Sequence, residues 1–130
     1  MAERNTPHKD GELVSMLMAA ATTIEAGKMV AVNSGGYAIE AADTASTIVV
    51  GVAEETVANA GANGAAAVTV RRNKAFKLKN HSTPVTQASV GSNVVVIDDE
   101  TVGLAATATN DIVAGKCLGV ETDGVWVWIA

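Results

Sequence analysis

Near its C-terminus the chain alternates strictly. Val125, Val127 and Ile129 are aliphatic, and Trp126 and Trp128 stand between them. A period of two sends neighbouring side chains to opposite faces of a strand, so this stretch predicts one aliphatic face and one face carrying both tryptophans. Leu118 and Val120 lead in through Glu121-Thr-Asp-Gly124. Asp-Gly predicts a tight hairpin turn with the glycine at positive φ. Further strands are expected at Lys28–Val32, Tyr37–Ile39 and Thr47–Ala53, and from Ala66 onward to Leu78. These runs are rich in β-branched residues and bounded by Gly, Asn and Asp.

The pattern repeats. Gly91-Ser-Asn-Val-Val-Val96 matches Gly27-Lys-Met-Val-Ala-Val32 at an offset of 64, and the turn Asp98–Thr101 matches Asn33–Gly36. Gly51-Val-Ala-Glu54 aligns with Gly119-Val-Glu121 at an offset of 68, and Gly64 with Gly124 at 60. The difference predicts an eight-residue insertion in the first copy, around the glycine-rich loop Asn59–Gly64, where extra length costs a fold little. The expected architecture is all-β: a small β-barrel or sandwich built from two similar β units, about 22–79 and 89–130. Together they form a single domain, 22–130, behind an N-terminal arm, 1–21. Closure would remove exposed strand edges.

The arm has two parts. Residues 1–12 are polar and include Pro7, His8 and Gly11, which reads as a flexible segment. Residues 13–21 are apolar without a clean period. Leu13, Met16, Leu17 and Ala20 would share a face if the segment were a short helix; an extended conformation is the alternative. Either way, an apolar run must be covered, by its own domain or by a partner.

Composition narrows the class. The apolar fraction is 48%, carried by Ala and Val, with 3% aromatic residues and twelve glycines. Small β-branched side chains and frequent turns suit thin β layers. The length suits one domain able to bury a core. A net charge of −5 argues against generic nucleic-acid binding. Cys117 is the single cysteine, which excludes an intrachain disulfide and a Cys/His zinc cluster; it reads as a small core residue. No run approaches the ~18 apolar residues of a membrane span. Leu13–Ala21 superficially resembles a secretory core, but Glu3, Asp10 and Glu12 give its leader the wrong charge.

The densest charge feature is Arg71, Arg72, Lys74, Lys77 and Lys79, five of the nine positive residues. It reads as a docking stripe for an acidic protein surface or a phosphate backbone, or as an edge strand protected by lysines. Scarce aromatics disfavour nucleic acid. Trp126 and Trp128 mark either an oligomer interface or the core face of their strand. Asp98, Asp99 and Glu100 read as a solvated turn without the ligand spacing of a metal site. His8 and His81 have no nucleophile or carboxylate pattern beside them. Asn80-His-Ser82 matches a glycosylation triplet, which matters only in a secreted chain, and Gly61-Ala-Asn-Gly64 lacks the Lys-Ser/Thr of a phosphate loop. No catalytic set can be assembled, so an enzyme is not expected, and no cofactor is.

The order of these motifs resembles a known family. It runs through Gly27–Val32, Gly36-Tyr37, Gly51-Val-Ala53, the basic strand Val68–Phe76, Val90–Asp99, Thr101-Val102, Ala114–Val120 and Gly124–Ile129. From about Thr22 to the C-terminus it is similar to the capsid cement, or head decoration, proteins of tailed bacteriophages. The resemblance implies a β-rich virion protein, made in the host cytoplasm, that binds the outside of the expanded head. It would bridge major capsid subunits, stabilise the shell, and act as a homo-oligomer, commonly a trimer. Another phage structural role, in a head fibre or tail, is the nearest alternative. A small nucleic-acid-binding barrel using residues 71–79 is a third reading. On the family reading, Leu13, Met16, Leu17, the five cations and the two tryptophans are the candidate partner contacts.

Overall fold

The computed structural model describes residues 3–7, 9 and 11–130. Strands carry the fold, joined by two single-turn 3-10 helices, and there is no α-helix among the described residues. The first half holds β1 (Leu13–Leu17), β2 (Thr22–Ile24), β3 (Met29–Val32), β4 (Ala38–Glu40), β5 (Ile48–Ala53), β6 (Val57–Asn59) and β7 (Ala67–Arg71). The second holds β8 (Lys74–Asn80), β9 (Asn93–Val96), β10 (Thr101–Gly103), β11 (Val113–Glu121) and β12 (Gly124–Ile129). The all-β barrel expected from the sequence is present: β10-β8-β12-β11-β9 closes on itself.

The first half is built the same way. Its sheet runs β1-β7-β5-β3-β4, and a parallel bridge from Met18 to Ala38 joins the two ends. The Ala19 N–H donates to the Ala38 carbonyl at 3.0 Å. In the second half Asn80 lies parallel to Val102, and the His81 N–H donates to the Val102 carbonyl at 3.1 Å. Even an irregularity recurs. Val30 opposes Gly51 and Ala31 opposes Val49, so Val50 is bulged out of register. Sixty-four positions later, Val94 opposes Gly115 and Val95 opposes Val113, with Ala114 bulged. A bulge bends and twists its strand, which helps so small a barrel to close.

This register shifts the boundaries that the sequence suggested. Val70 opposes Val14 in the first barrel, and Val127 opposes Phe76 in the second. So β1 is the counterpart of β8. Leu13–Leu17 is therefore the opening strand of the first unit, and Lys74–Asn80, read from sequence as the end of that unit, opens the second. The units meet at Arg72-Asn73, where Asn73 takes φ +61° and its N–H donates to the Ile129 carbonyl. The match was hidden because the two strands agree only at inward positions, where Met16 answers to Leu78, while outward Ser15 and Leu17 stand where β8 carries Lys77 and Lys79. Gly51 corresponds to Gly115, not Gly119. Between Ala53, opposite Val70, and Cys117, opposite Val127, the offset drops from 64 to 57, so the insertion is seven residues rather than eight.

One open alternative is decided and one local expectation changes. Of the two conformations left open for the segment after residue 12 the extended one is adopted, so Leu13, Met16 and Leu17 do not share a face. Strand alternation exposes Leu13 and Leu17 while Met16 packs against the interior of the first barrel. Gly124 is not among the positive-φ glycines; it opens β12 opposite Glu121. A Cβ there would lie 2.8 Å from the Leu78 carbonyl oxygen, so glycine serves close strand approach instead of the turn.

Valine and alanine fill both interiors. Val30, Ala38, Ala53, Val68 and Val70 in the first barrel correspond to Val94, Val102, Cys117, Val125 and Val127 in the second, and all are buried. A five-stranded barrel has room for little more, and each buried valine contributes about 1.5–3 kcal/mol. The barrels pack on one another: Met29, Ala31, Ala41 and Val52 leave the first barrel's outer face to join the second barrel's core cluster. Polar clamps complete the junction. The Met29 N–H donates to the Asp99 carbonyl at 2.7 Å. Asp43 accepts from the Thr109 and Asn110 N–H groups at 2.8 and 2.9 Å, which pulls its carboxyl below the usual range.

Candidate functional site: an exposed tryptophan face

The alternation read at the C-terminus is realised. Val125, Val127 and Ile129 point into the second barrel, and Trp126 and Trp128 lie outside it, 37% and 38% exposed. The sequence left open whether the indoles formed core or surface; the aliphatic face is the core. Trp126 stands between Lys77 on β8 and Gly119 on β11, and Trp128 between Ala75 and Lys116. Leu118, at the β11 register shift, and Val113 are exposed on the same strand. Beside them a shallow groove of about 380 Å³ runs between Ile48 and Val49 on one bank and Val113, Lys116 and Trp128 on the other. Lys116 has no acidic partner among the described residues. The result is an apolar surface flanked by the ion-paired Lys77 and by Lys116, mounted on a closed barrel.

The basic stripe is divided and largely neutralised. Arg71 ends β7 and bonds Glu54 at 2.5 Å, with Glu12 at 3.5 Å. Lys74 pairs with Glu12. Lys77 bonds Asp123 at 2.7 Å and lies 3.3 Å from Glu121. Lys79 bonds Glu100 at 2.8 Å. These contacts raise the Arg71 and Lys77 pKa values, through Glu54 and Asp123 first, and lower those of Glu12 and Asp123, through Lys74 and Lys77. The Arg72 N–H donates to the Glu12 carbonyl, while its buried Nε has no hydrogen-bond partner among the described residues. Lys74 and Lys77 also sit on opposite faces of β8, because they are three positions apart. Four of the five cations thus have carboxylate partners within the chain.

The Asp98–Glu100 turn is more than the solvated turn expected. Glu100 bonds both Lys28 of the first barrel and Lys79 of the second, and its carboxyl is lowered to about 2, by Lys28 first and then Lys79. Glu40 moves the other way, raised by desolvation and by Asp99 nearby. Asn59 is a buried polar residue that the sequence did not single out. Its Nδ2 donates to the Ala19 and Ala62 carbonyls at 2.9 and 3.0 Å. Its position in a glycine-rich loop was visible, but its bond to Ala19, forty residues away, was not.

Chemistry-bearing groups do not converge. Among the described residues no three His, Cys, Asp or Glu side chains gather to hold a metal ion. Cys117 is fully buried. The His81 Nδ1 accepts the Thr83 N–H at 2.9 Å, and His8 and Asp10 lie outside the described residues. No helix among the described residues is long and apolar enough to cross a membrane. Comparison with protein-family models, with curated proteins and with solved structures returned no match.

Proposed function

We propose that this chain is a structural virion protein that binds the outside of an expanded phage head and stabilises the shell by bridging major capsid subunits. The observation that carries the reading is the exposed Trp126–Trp128 face on a rigid barrel, which suits a protein that works by surface contact. The motif order shared with capsid cement proteins supports the choice of partner. Repetition over a shell lets modest contacts add up. No cofactor or membrane enters this role.

The apolar surfaces divide the work. We assign the tryptophan face to a neighbouring protomer in a homo-oligomer, a trimer on the family pattern, because tryptophan is enriched in interface cores. Leu13 and Leu17 on the outer face of β1, with the polar segment before them, are assigned to the major capsid protein. The contact between protomers is then heterologous and closes as a ring. The nucleic-acid reading has less to support it, because phosphate binding needs cations free to release counterions, and the stripe is paired internally. Heads lacking this protein should melt at higher temperature once it is added, and Leu13→Asp/Leu17→Asp should remove the gain. An equal gain from that variant would refute the assignment of β1.

A further inference from the structure

The two barrels differ at one end. In the first, the seven extra residues carry β6, which pairs antiparallel with β2: Thr22 opposes Asn59, and Ile24 opposes Val57. Asn59 is 3% exposed, and its Nδ2 donates to the carbonyls of Met18 and Ala19 at 3.3 and 2.9 Å. The Gly64 N–H donates to the Met18 carbonyl at 2.8 Å. A strand supplied by the chain itself therefore seals that end.

The counterparts of Met18 and Ala19 are Asn80 and His81, set by the matching parallel pairings to Ala38 and Val102. The second barrel has no insert. Its hairpin turns directly, with Glu121 opposite Gly124. What remains is a groove of about 630 Å³ with three walls: Asn80-His81, Pro84–Thr86 and Glu121–Gly124. These match what β6 touches in the first barrel, namely a carbonyl pair, the segment that follows it, and the hairpin tip from which the insert grows. Val85 is buried and spends both main-chain groups on the Asn80 carboxamide, at 2.8 and 2.9 Å. Thr86 is extended, with φ −117° and ψ 174°. Adjacent residues of an extended chain direct their main-chain groups to opposite sides, so the Pro84 carbonyl and the Thr86 N–H face away from Asn80.

We propose that this groove binds an extended segment of a partner protein. The segment adds as a short strand beside Pro84–Thr86, with a small apolar residue turned inward and, two residues on, a carboxamide on the Asn80 and His81 carbonyls. Val57-Ala58-Asn59 does this in the first barrel and supplies the template. Main-chain hydrogen bonds give such strand addition its affinity, and the side-chain positions give its selectivity. The proposal stands apart from the capsid reading, since it rests only on the difference between the barrels.

The test is an NMR titration of the full, isotope-labelled chain with a synthetic peptide spanning residues 54–66. Saturable shifts at Asn80, His81, Val85, Thr86 and Gly124 are expected, with affinity falling about tenfold when the peptide carries Asn59→Ala, a loss of about 1.4 kcal/mol. A peptide of residues 1–12 serves as comparator. Absence of saturable shifts at millimolar peptide would overturn the proposal. So would shifts indifferent to the Asn59→Ala change, or a preference of the groove for the N-terminal peptide.

Discussion

Gly51 and Gly115 occupy the same place in the two barrels. Gly51 opposes Val30 and Gly115 opposes Val94, each beside the bulged residue of its strand. A Cβ on Gly51 would overlap the Arg71 carbonyl oxygen, and one on Gly115 would overlap the Trp128 carbonyl oxygen. Each glycine therefore sets how closely the last strand of its barrel can approach, and Gly115 in this way helps to position the tryptophan face.

Alanine at either glycine should be costly. The clash is with backbone, which cannot swing aside, and Gly51 also has φ +153°. Gly51→Ala and Gly115→Ala are each expected to lose about 2–3 kcal/mol in urea unfolding. Gly119→Ala, with open space at its Cβ, should lose less than about 1 kcal/mol. Equal costs at all three positions would contradict the shared bulge.

Truncation should separate strand from arm. β1 pairs with β7 over Leu13–Leu17, and Met18 behind it is fully buried. Removing residues 1–11 should leave the thermal transition in place. Removing 1–21 should open the first barrel, with rapid amide exchange across β7 and β5. Retained protection there would contradict the placement of β1.

Acid should release the clamp between the barrels. Glu100 has a folded value of about 2 against an ordinary 4.5, so its pairing with Lys28 and Lys79 contributes stability above pH 4.5. That contribution is lost as pH falls from about 4.5 toward about 2. Glu12, Asp43 and Asp123 are also lowered and act in the same direction, while raised Glu40 contributes at low pH and loses its share as pH rises. Glu100→Gln should therefore flatten the urea midpoint against pH across that window, with little change in slope above it. An unchanged acid slope would show that Glu100 does not couple the barrels.

The indoles should be dispensable for folding and required for association. Trp126→Ser/Trp128→Ser changes half-exposed positions and should shift stability by about 1 kcal/mol or less. In sedimentation velocity the variant is expected to run as a monomer where the parent chain runs as an oligomer. In the parent, acrylamide quenching of tryptophan should weaken as concentration rises. An unaltered oligomer in the variant would place the protomer contact elsewhere.

The sequence made the second barrel easier to read than the first. Strict alternation at Val125–Ile129 separated core from surface, and the Gly27 and Gly91 motifs revealed the repeat, since both glycines take positive φ ahead of equivalent strands. The frame of that repeat was not legible. β1 and β8 pair alike, but their outward positions differ, with Ser15 and Leu17 standing where Lys77 and Lys79 stand, so the alignment slipped by one strand. The basic stripe was visible as a cluster of cations, while its neutralisation was not: Glu12, Glu100 and Asp123 arrive from other parts of the chain through pairing that composition does not encode. The groove at Asn80-His81 follows only from comparing the two barrels, because it is defined by a segment that one copy has and the other lacks.

The most direct measurement is co-sedimentation of the purified chain with expanded, empty phage heads that lack it. Saturable binding at a fixed ratio to the major capsid protein is expected, retained at moderate salt because the contacts are largely apolar. Failure to bind such heads at any salt concentration would contradict the proposed role.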